Sequence, residues 1–120
     1  MNKIKLIKVK KVDNKLLQEI VNRIVKKVNP LKIVLFGSWA YGKPTKSSDL
    51  DILVIMDNDI KSRRAIAGEI YNALCGILIP KDIVVVTLKD VEEWKNVPQA
   101  FITTIIKKGK LIYERKGRLG

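Results

Sequence analysis

Three aspartates stand where apolar runs begin. Asp49 and Asp51 bracket Leu50 at the head of Ile52-Leu53-Val54-Ile55-Met56, and Asp82 leads into Ile83-Val84-Val85-Val86. Two residues apart on an extended strand, Asp49 and Asp51 point to one face, about 6 to 7 Å apart along the backbone. Two carboxylates so placed can share a divalent cation. Among apolar neighbours they repel each other and resist desolvation unless a cation or an open cleft compensates. If the strand begun by Asp82 lies beside the one begun by Asp51, a third carboxylate reaches the same cleft. Alone, Asp82 reads equally well as a solvated residue after Pro80-Lys81. Three acids with two Mg2+ ions can hold a nucleoside triphosphate, stabilise a leaving pyrophosphate and activate a hydroxyl nucleophile.

Upstream, Ile33-Val34-Leu35-Phe36 runs into Gly37-Ser38. A strand that ends in Gly-Ser and feeds a helix leaves free backbone N–H groups at a positive dipole end with a hydroxyl beside them, which suits a phosphate. Many tight turns share the Gly-Ser pattern without a ligand. The chain has no histidine and a single cysteine, Cys75, so the usual imidazole and thiolate zinc sites cannot be assembled. A metal here is expected to be a hard, oxygen-liking ion.

The elements that must position these residues follow from spacing. Asp13 or Asn14 caps a helix running to about Val28, with Leu17, Ile20, Val21, Ile24, Val25 and Val28 on one face. Pro30 closes it, and residues 33–36 form a short buried strand. Residues 49–56 read as a central strand, apolar on both faces beyond the acidic start. Ser62 caps a second long helix whose apolar face is Ile66, Ile70, Leu74 and Ile77, and Asp82 to Thr87 is a third strand. Asp90 and Glu93 have capping-box spacing for a short helix. Pro98 and Gly109 bracket a helix over residues 99–108, and Leu111-Ile112-Tyr113 is a last short strand. The fold class is mixed α/β (α+β), a small mixed sheet with helices packed on it. Residues 1–12 form a basic strand guarded by lysines or a mobile arm, and residues 13–120 a single domain. Cys75 is expected to be a small buried hydrophobe. Trp39 and Tyr41 are expected to pack on the sheet or stack on a base or partner.

Composition bounds the rest. With 120 residues, 47% hydrophobic and 30% charged, the chain is one folded domain rather than a disordered segment. No apolar stretch approaches the ~20 residues of a membrane-spanning helix, and the lysine-interrupted N-terminus lacks a secretory h-region. A cytoplasmic location without membrane insertion is the expectation. The net charge is +12, with +8 in residues 1–32, −1 in residues 33–106 and +5 in residues 107–120. Such basic ends favour a polyanion or an acidic partner, or simply keep the surface soluble.

Taken together, Phe36-Gly37-Ser38, ten intervening residues and Asp49-Leu50-Asp51-Ile52 resemble the active-site pattern of the polymerase-β-type nucleotidyltransferase superfamily. The detail Gly37-Ser38-Trp39-Ala40-Tyr41-Gly42 with Ser48-Asp49-Leu50-Asp51 is similar to its minimal nucleotidyltransferase (MNT) branch, and the similarity runs from about Leu31 to Tyr113. The resemblance implies the polymerase-β-like nucleotidyltransferase fold, with Gly37 and Ser38 on the triphosphate and Asp49, Asp51 and Asp82 binding Mg2+. It also implies that Asp82 helps deprotonate the acceptor hydroxyl, that ATP is the nucleotide, and that a HEPN-domain protein is the partner. In such toxin-antitoxin pairs the MNT protein adds AMP to a HEPN tyrosine. Trp39 and Tyr41 stand where many relatives carry arginine, so Lys43, Lys46, Arg63 or Arg64 would supply charge at the phosphates. Two other functions are weighed beside transfer: a non-catalytic module that neutralises its partner by covering it, and a nucleic-acid-binding protein using the basic termini. The apolar surface left by so small a fold is expected to meet a second copy, as a homodimer, or another chain.

Overall fold

The computed structural model describes residues 7–8, 12–42, 44 and 48–116. Most of the basic N-terminal strand or arm, and both Lys43 and Lys46, lie outside the described residues. Ile7–Lys8 (β1) is described and pairs in parallel with Ile77–Leu78 (β4).

Asn14–Val28 forms α1, and the Asp13 carboxylate caps it by accepting from the Leu16 N–H at 2.9 Å. The helix ends at Asn29, whose φ of 50° is the left-handed turn asparagine tolerates better than most residues. Its Ile20, Val21 and Ile24 are buried, as their three- and four-residue spacing requires. Lys32–Phe36 (β2) then leads through Gly37 into the single turn Ser38–Tyr41 (α2), and Leu50–Met56 (β3) follows the loop. Arg63–Ala73 (α3) starts at Ser62, whose hydroxyl accepts from the Ala65 N–H. Lys81–Thr87 (β5), Leu88–Trp94 (α4), Phe101–Lys108 (α5) and Lys110–Glu114 (β6) complete the chain.

The main sheet has the order β5-β3-β2-β6. It is mixed: β3 and β5 are parallel, while β2 is antiparallel to both β3 and β6. Alternation along the strands sends Ile33, Leu35, Ile52 and Val54 to one face, where α1 and α3 cover them. Val34, Phe36, Leu53, Ile55 and Val86 go to the other, under Ile105 of α5 and Val91 of α4. Burying each such side chain contributes about 1.5–3 kcal/mol, so β3, apolar on both sides, is the anchor of the fold. The outer edge of β5 is partly covered, because the Ile83 N–H donates to the Tyr71 hydroxyl at 3.0 Å.

Three expectations are corrected. Ile77 is not on the helical face with Ile66 and Ile70: Gly76, at φ 95°, turns the chain and Ile77 becomes a strand residue. The cap of α4 is Thr87, with Asp90 as its reciprocal partner in the capping box, rather than an Asp90–Glu93 pair. Cys75 is exposed, not buried.

Gly109 sits where α5 meets β2. A Cβ there would stand 2.6 Å from the Ile105 carbonyl oxygen, 2.7 Å from Val34 Cγ1 and 2.8 Å from the Leu35 carbonyl oxygen. Two of those neighbours are backbone and cannot swing aside. Gly109→Ala is therefore expected to destabilise the protein by about 1–3 kcal/mol, read as a lower urea midpoint with an unchanged slope. An unchanged midpoint would mean that α5 is free to lift off β2.

Candidate active site

The register of the sheet brings the acidic residues together. Asp51 is the second residue of β3, and its partner across the parallel ladder is Asp82, the second residue of β5. Register partners share a face, so the two carboxylates stand side by side at one end of the sheet. Leu50 secures that end, donating its N–H to the Pro80 carbonyl at 2.8 Å. Asp49 precedes β3 and is exposed, as is Asp82, while Asp51 is half-buried.

On the other side Asp51 faces β2, where its antiparallel partner is Phe36. Gly37 comes next, with φ 76° and ψ −162°, a conformation essentially restricted to glycine. A Cβ on Gly37 would collide with Asp51 Oδ2 and lie 3.0 Å from its Cγ. The carboxylate therefore rests against the glycine backbone at the start of α2. There the Ser38 and Trp39 N–H groups, being in the first turn, have no intrahelical acceptor. Gly37, Ser38, Asp51 and Asp82 thus meet at one end of the sheet, with Asp49 at the approach to it.

The electrostatics fit this crowding. Burial raises the Asp51 pKa above the ordinary aspartate value, and the charges of Asp82 and then Asp49 push it further. Among the described residues, no Lys or Arg forms an ion pair with any of the three. An all-carboxylate donor set whose mutual repulsion is uncompensated suits a hard divalent cation. Among the described residues no group of three His, Cys, Asp or Glu is close enough to enclose a metal, and the Asp51–Asp82 register pair stands at the centre of the candidate site.

Two neighbours of the motif residues complete the site's surroundings. The Trp39 indole N–H donates to the Ser48 carbonyl at 3.3 Å while its ring packs on the core, tying the residue before Asp49 to α2. Packing is thus the role of Trp39, whereas Tyr41 is exposed. Lys81 points to the opposite face from Asp82 and donates to the Ile77 carbonyl at 3.0 Å, with burial lowering its pKa. A lysine next to the third acid therefore does not neutralise it.

Arg63 does not reach the phosphate turn. It is engaged at the other end of the sheet by the Asp90 carboxylate, at 2.8 and 3.0 Å. Burial alone would raise the Asp90 pKa, but hydrogen bonds from Thr87 and Arg63 hold it below the ordinary value. The cation at the start of α3 is thus compensated by a carboxylate, not by a ligand or by solvent.

The structure thus sets a Gly-Ser turn against acidic strand starts at one end of a four-stranded mixed sheet with helices on both faces. The family model for Polymerase beta, Nucleotidyltransferase matches residues 18–118. A protein of Methanocaldococcus jannaschii named "Putative protein adenylyltransferase MJ0604" is 28% identical over 105 residues, 84% of this chain and 98% of that protein. A crystal structure of a toxin-antitoxin with AMP-PNP shares the fold, with a TM-score of 0.52 at 21% identity over 83% of this chain and 74% of the other. The chain belongs to the polymerase beta nucleotidyltransferase family, and it is a nucleotidyltransferase. Among the described residues no helix is long and apolar enough to cross a membrane.

Proposed function

We propose that this chain is a Mg2+-dependent adenylyltransferase that moves AMP from ATP to a hydroxyl of a partner protein. The acceptor in this reading is a tyrosine of a HEPN-type toxin, so that the chain acts as its antitoxin. The observation that carries the reading is the Asp51 carboxylate, held against Gly37, beside Asp82 and without a cationic partner among the described residues. The adenylyltransferase name of the M. jannaschii relative and the AMP-PNP-bound toxin-antitoxin of like fold support the choice of nucleotide and setting.

In this mechanism Asp49, Asp51 and Asp82 would hold two Mg2+ ions, which would supply charge stabilisation to the triphosphate and to the leaving pyrophosphate. Ser38 and the first-turn N–H groups of α2 orient the phosphates, and Lys43 and Lys46 add positive charge to them. Asp82 accepts the proton of the acceptor hydroxyl. The oxygen attacks the α-phosphorus, the bond from that phosphorus to the β-bridging oxygen breaks, and pyrophosphate leaves.

The test is ATP radiolabelled at its α-phosphate, incubated with this protein, Mg2+ and a HEPN-domain partner. Label is expected on a partner tyrosine, none with EDTA, and none from ATP labelled at the γ-phosphate. A stable complex that suppresses toxicity without any α-label would instead make the chain a binding module.

A further inference from the structure

On the face of the sheet that carries Asp51 and Asp82, an aromatic ring stands uncovered close to both. Period-two alternation groups Asp51 with Leu53 and Ile55, and Asp82 with Val84 and Val86, and Phe36, the register partner of Asp51, lies on that same face. Phe36 is buried, with 8% of its surface exposed. Phe101, the first residue of α5, packs on it in a T-shaped pair, with ring centroids 5.9 Å apart and planes at 87°. Phe101 itself is 60% exposed, more than any other large apolar side chain among the described residues. The edge contact therefore leaves most of the ring bare.

The backbone beneath that ring is held. The Val97 N–H donates to the Trp94 carbonyl at 2.9 Å, and the Ala100 N–H to the Val97 carbonyl at 3.1 Å. From within α5 the Thr103 hydroxyl donates to the same Trp94 carbonyl, while Ile102 and Ile105 pack into the core around Phe36. Distance then connects the ring to the site. Cross-strand partners have Cα atoms about 5 Å apart, and the second ring adds 5.9 Å. Phe101 thus stands on the order of 10 Å from Asp51, on the side where Phe36 runs directly into Gly37 and Ser38. A nucleotide whose phosphates rest on that turn carries its base one pentose away from the α-phosphate, a span of that order.

We propose that Phe101 is the platform on which the base of the bound nucleoside triphosphate stacks. The inference rests on the nucleotidyl-transfer reading above and adds to it the end of the site that receives the base. Stacking covers an exposed aromatic face with another flat, polarisable ring, and it is tolerant of base identity because every base has such a face. Phe101 accordingly supplies affinity without choosing adenine, and a purine, which covers more of the ring, gains more than a pyrimidine.

The test is isothermal titration of the full-length protein, with Mg2+ and no acceptor protein, by ATP, CTP and inorganic tripolyphosphate. The parent is expected to bind ATP most tightly, CTP less tightly and tripolyphosphate least. Phe101→Ala is expected to weaken ATP by about tenfold and to leave tripolyphosphate unmoved. Phe101→Leu, apolar but without a ring face, should behave as the alanine variant does, and Phe101→Tyr as the parent does, with melting curves showing that all three fold. In Phe101→Trp, ATP but not tripolyphosphate is expected to quench emission beyond any change shown by the parent's own Trp39 and Trp94. During transfer the loss in Phe101→Ala should fall on KM for ATP, with kcat near parental. Equal ATP affinity in the parent and Phe101→Ala would overturn the proposal and leave nucleotidyl transfer standing. So would an equal loss of ATP and tripolyphosphate, which would make the ring a support of the phosphate turn, or a loss confined to KM for the acceptor, which would give the ring to the partner protein. A parent that binds neither ATP nor tripolyphosphate would overturn the nucleotidyl-transfer reading and the platform together.

Discussion

Asp51→Asn is expected to lower the rate of label transfer by about a thousandfold and, in metal-free buffer at neutral pH, to raise the melting temperature. The two effects have one origin. A carboxylate that shares charge stabilisation at a phosphoryl centre contributes several kcal/mol, and ~4 kcal/mol corresponds to about a factor of a thousand in rate. In the absence of a cation the same carboxylate is a liability. Burial, then Asp82, then Asp49 raise its pKa, so the folded state binds the proton more tightly than the unfolded chain. Linkage then fixes the sign: stability from this group is fully present below the unfolded value and is lost as pH rises through the raised folded value. Above the unfolded value Asp51 therefore weakens the fold, and a neutral asparagine of the same shape removes that penalty. Added Mg2+ should raise the melting temperature of the parent protein and leave that of the variant nearly unmoved. A variant that transfers label at the parental rate, or that melts lower than the parent without metal, would remove Asp51 from the centre of the site.

The residues that announce this site are local, and those that complete it are not. Phe36-Gly37-Ser38 and Asp49-Leu50-Asp51 can be read from the sequence because a turn and a strand start have compositional signatures a few residues long. The α1 helix was equally legible, since Asp13 caps it and its apolar spacing is uninterrupted. By contrast, Ile77 continues the periodicity of Ile66, Ile70 and Leu74, and only the positive φ of Gly76 reveals that the helix has already ended. A two-residue strand such as β4 has no period of its own, and its partner Ile7–Lys8 lies some seventy positions away. Thr87 ends β5 and caps α4 with no loop between, so the Asp90–Glu93 spacing offered a plausible but incorrect cap. The Arg63–Asp90 pair spans 27 positions, which hid the compensation of that arginine. The contact of Asp51 with Gly37 also depends on register, and the motif gives their order without their distance.

Gly37→Ala should cost both stability and activity, and Gly42→Ala separates the two. Both glycines have positive φ, 76° and 78°, so an L-side chain strains the backbone at either position. At Gly42, with ψ 18°, the strain is that of the left-handed helical region, about 1–2 kcal/mol, and a Cβ meets nothing within 4 Å. At Gly37, with ψ −162°, the conformation is one that essentially only glycine occupies, at about 1–3 kcal/mol for another residue. There the Cβ also strikes the Asp51 carboxylate, which must rotate away from Asp82 or push β2 from β3. A displacement of about 1 Å at a reacting centre costs on the order of a hundredfold in rate. Gly37→Ala is accordingly expected to lose about that much transfer, whereas Gly42→Ala keeps near-parental transfer with a lower melting temperature. On the Asp51→Asn background, Gly37→Ala should add little further loss of transfer, because the group it displaces is already disabled. Equal loss of transfer in both glycine variants would assign the effect to the α2 turn as a whole, and the close approach of Asp51 to Gly37 would then be a matter of packing rather than of chemistry.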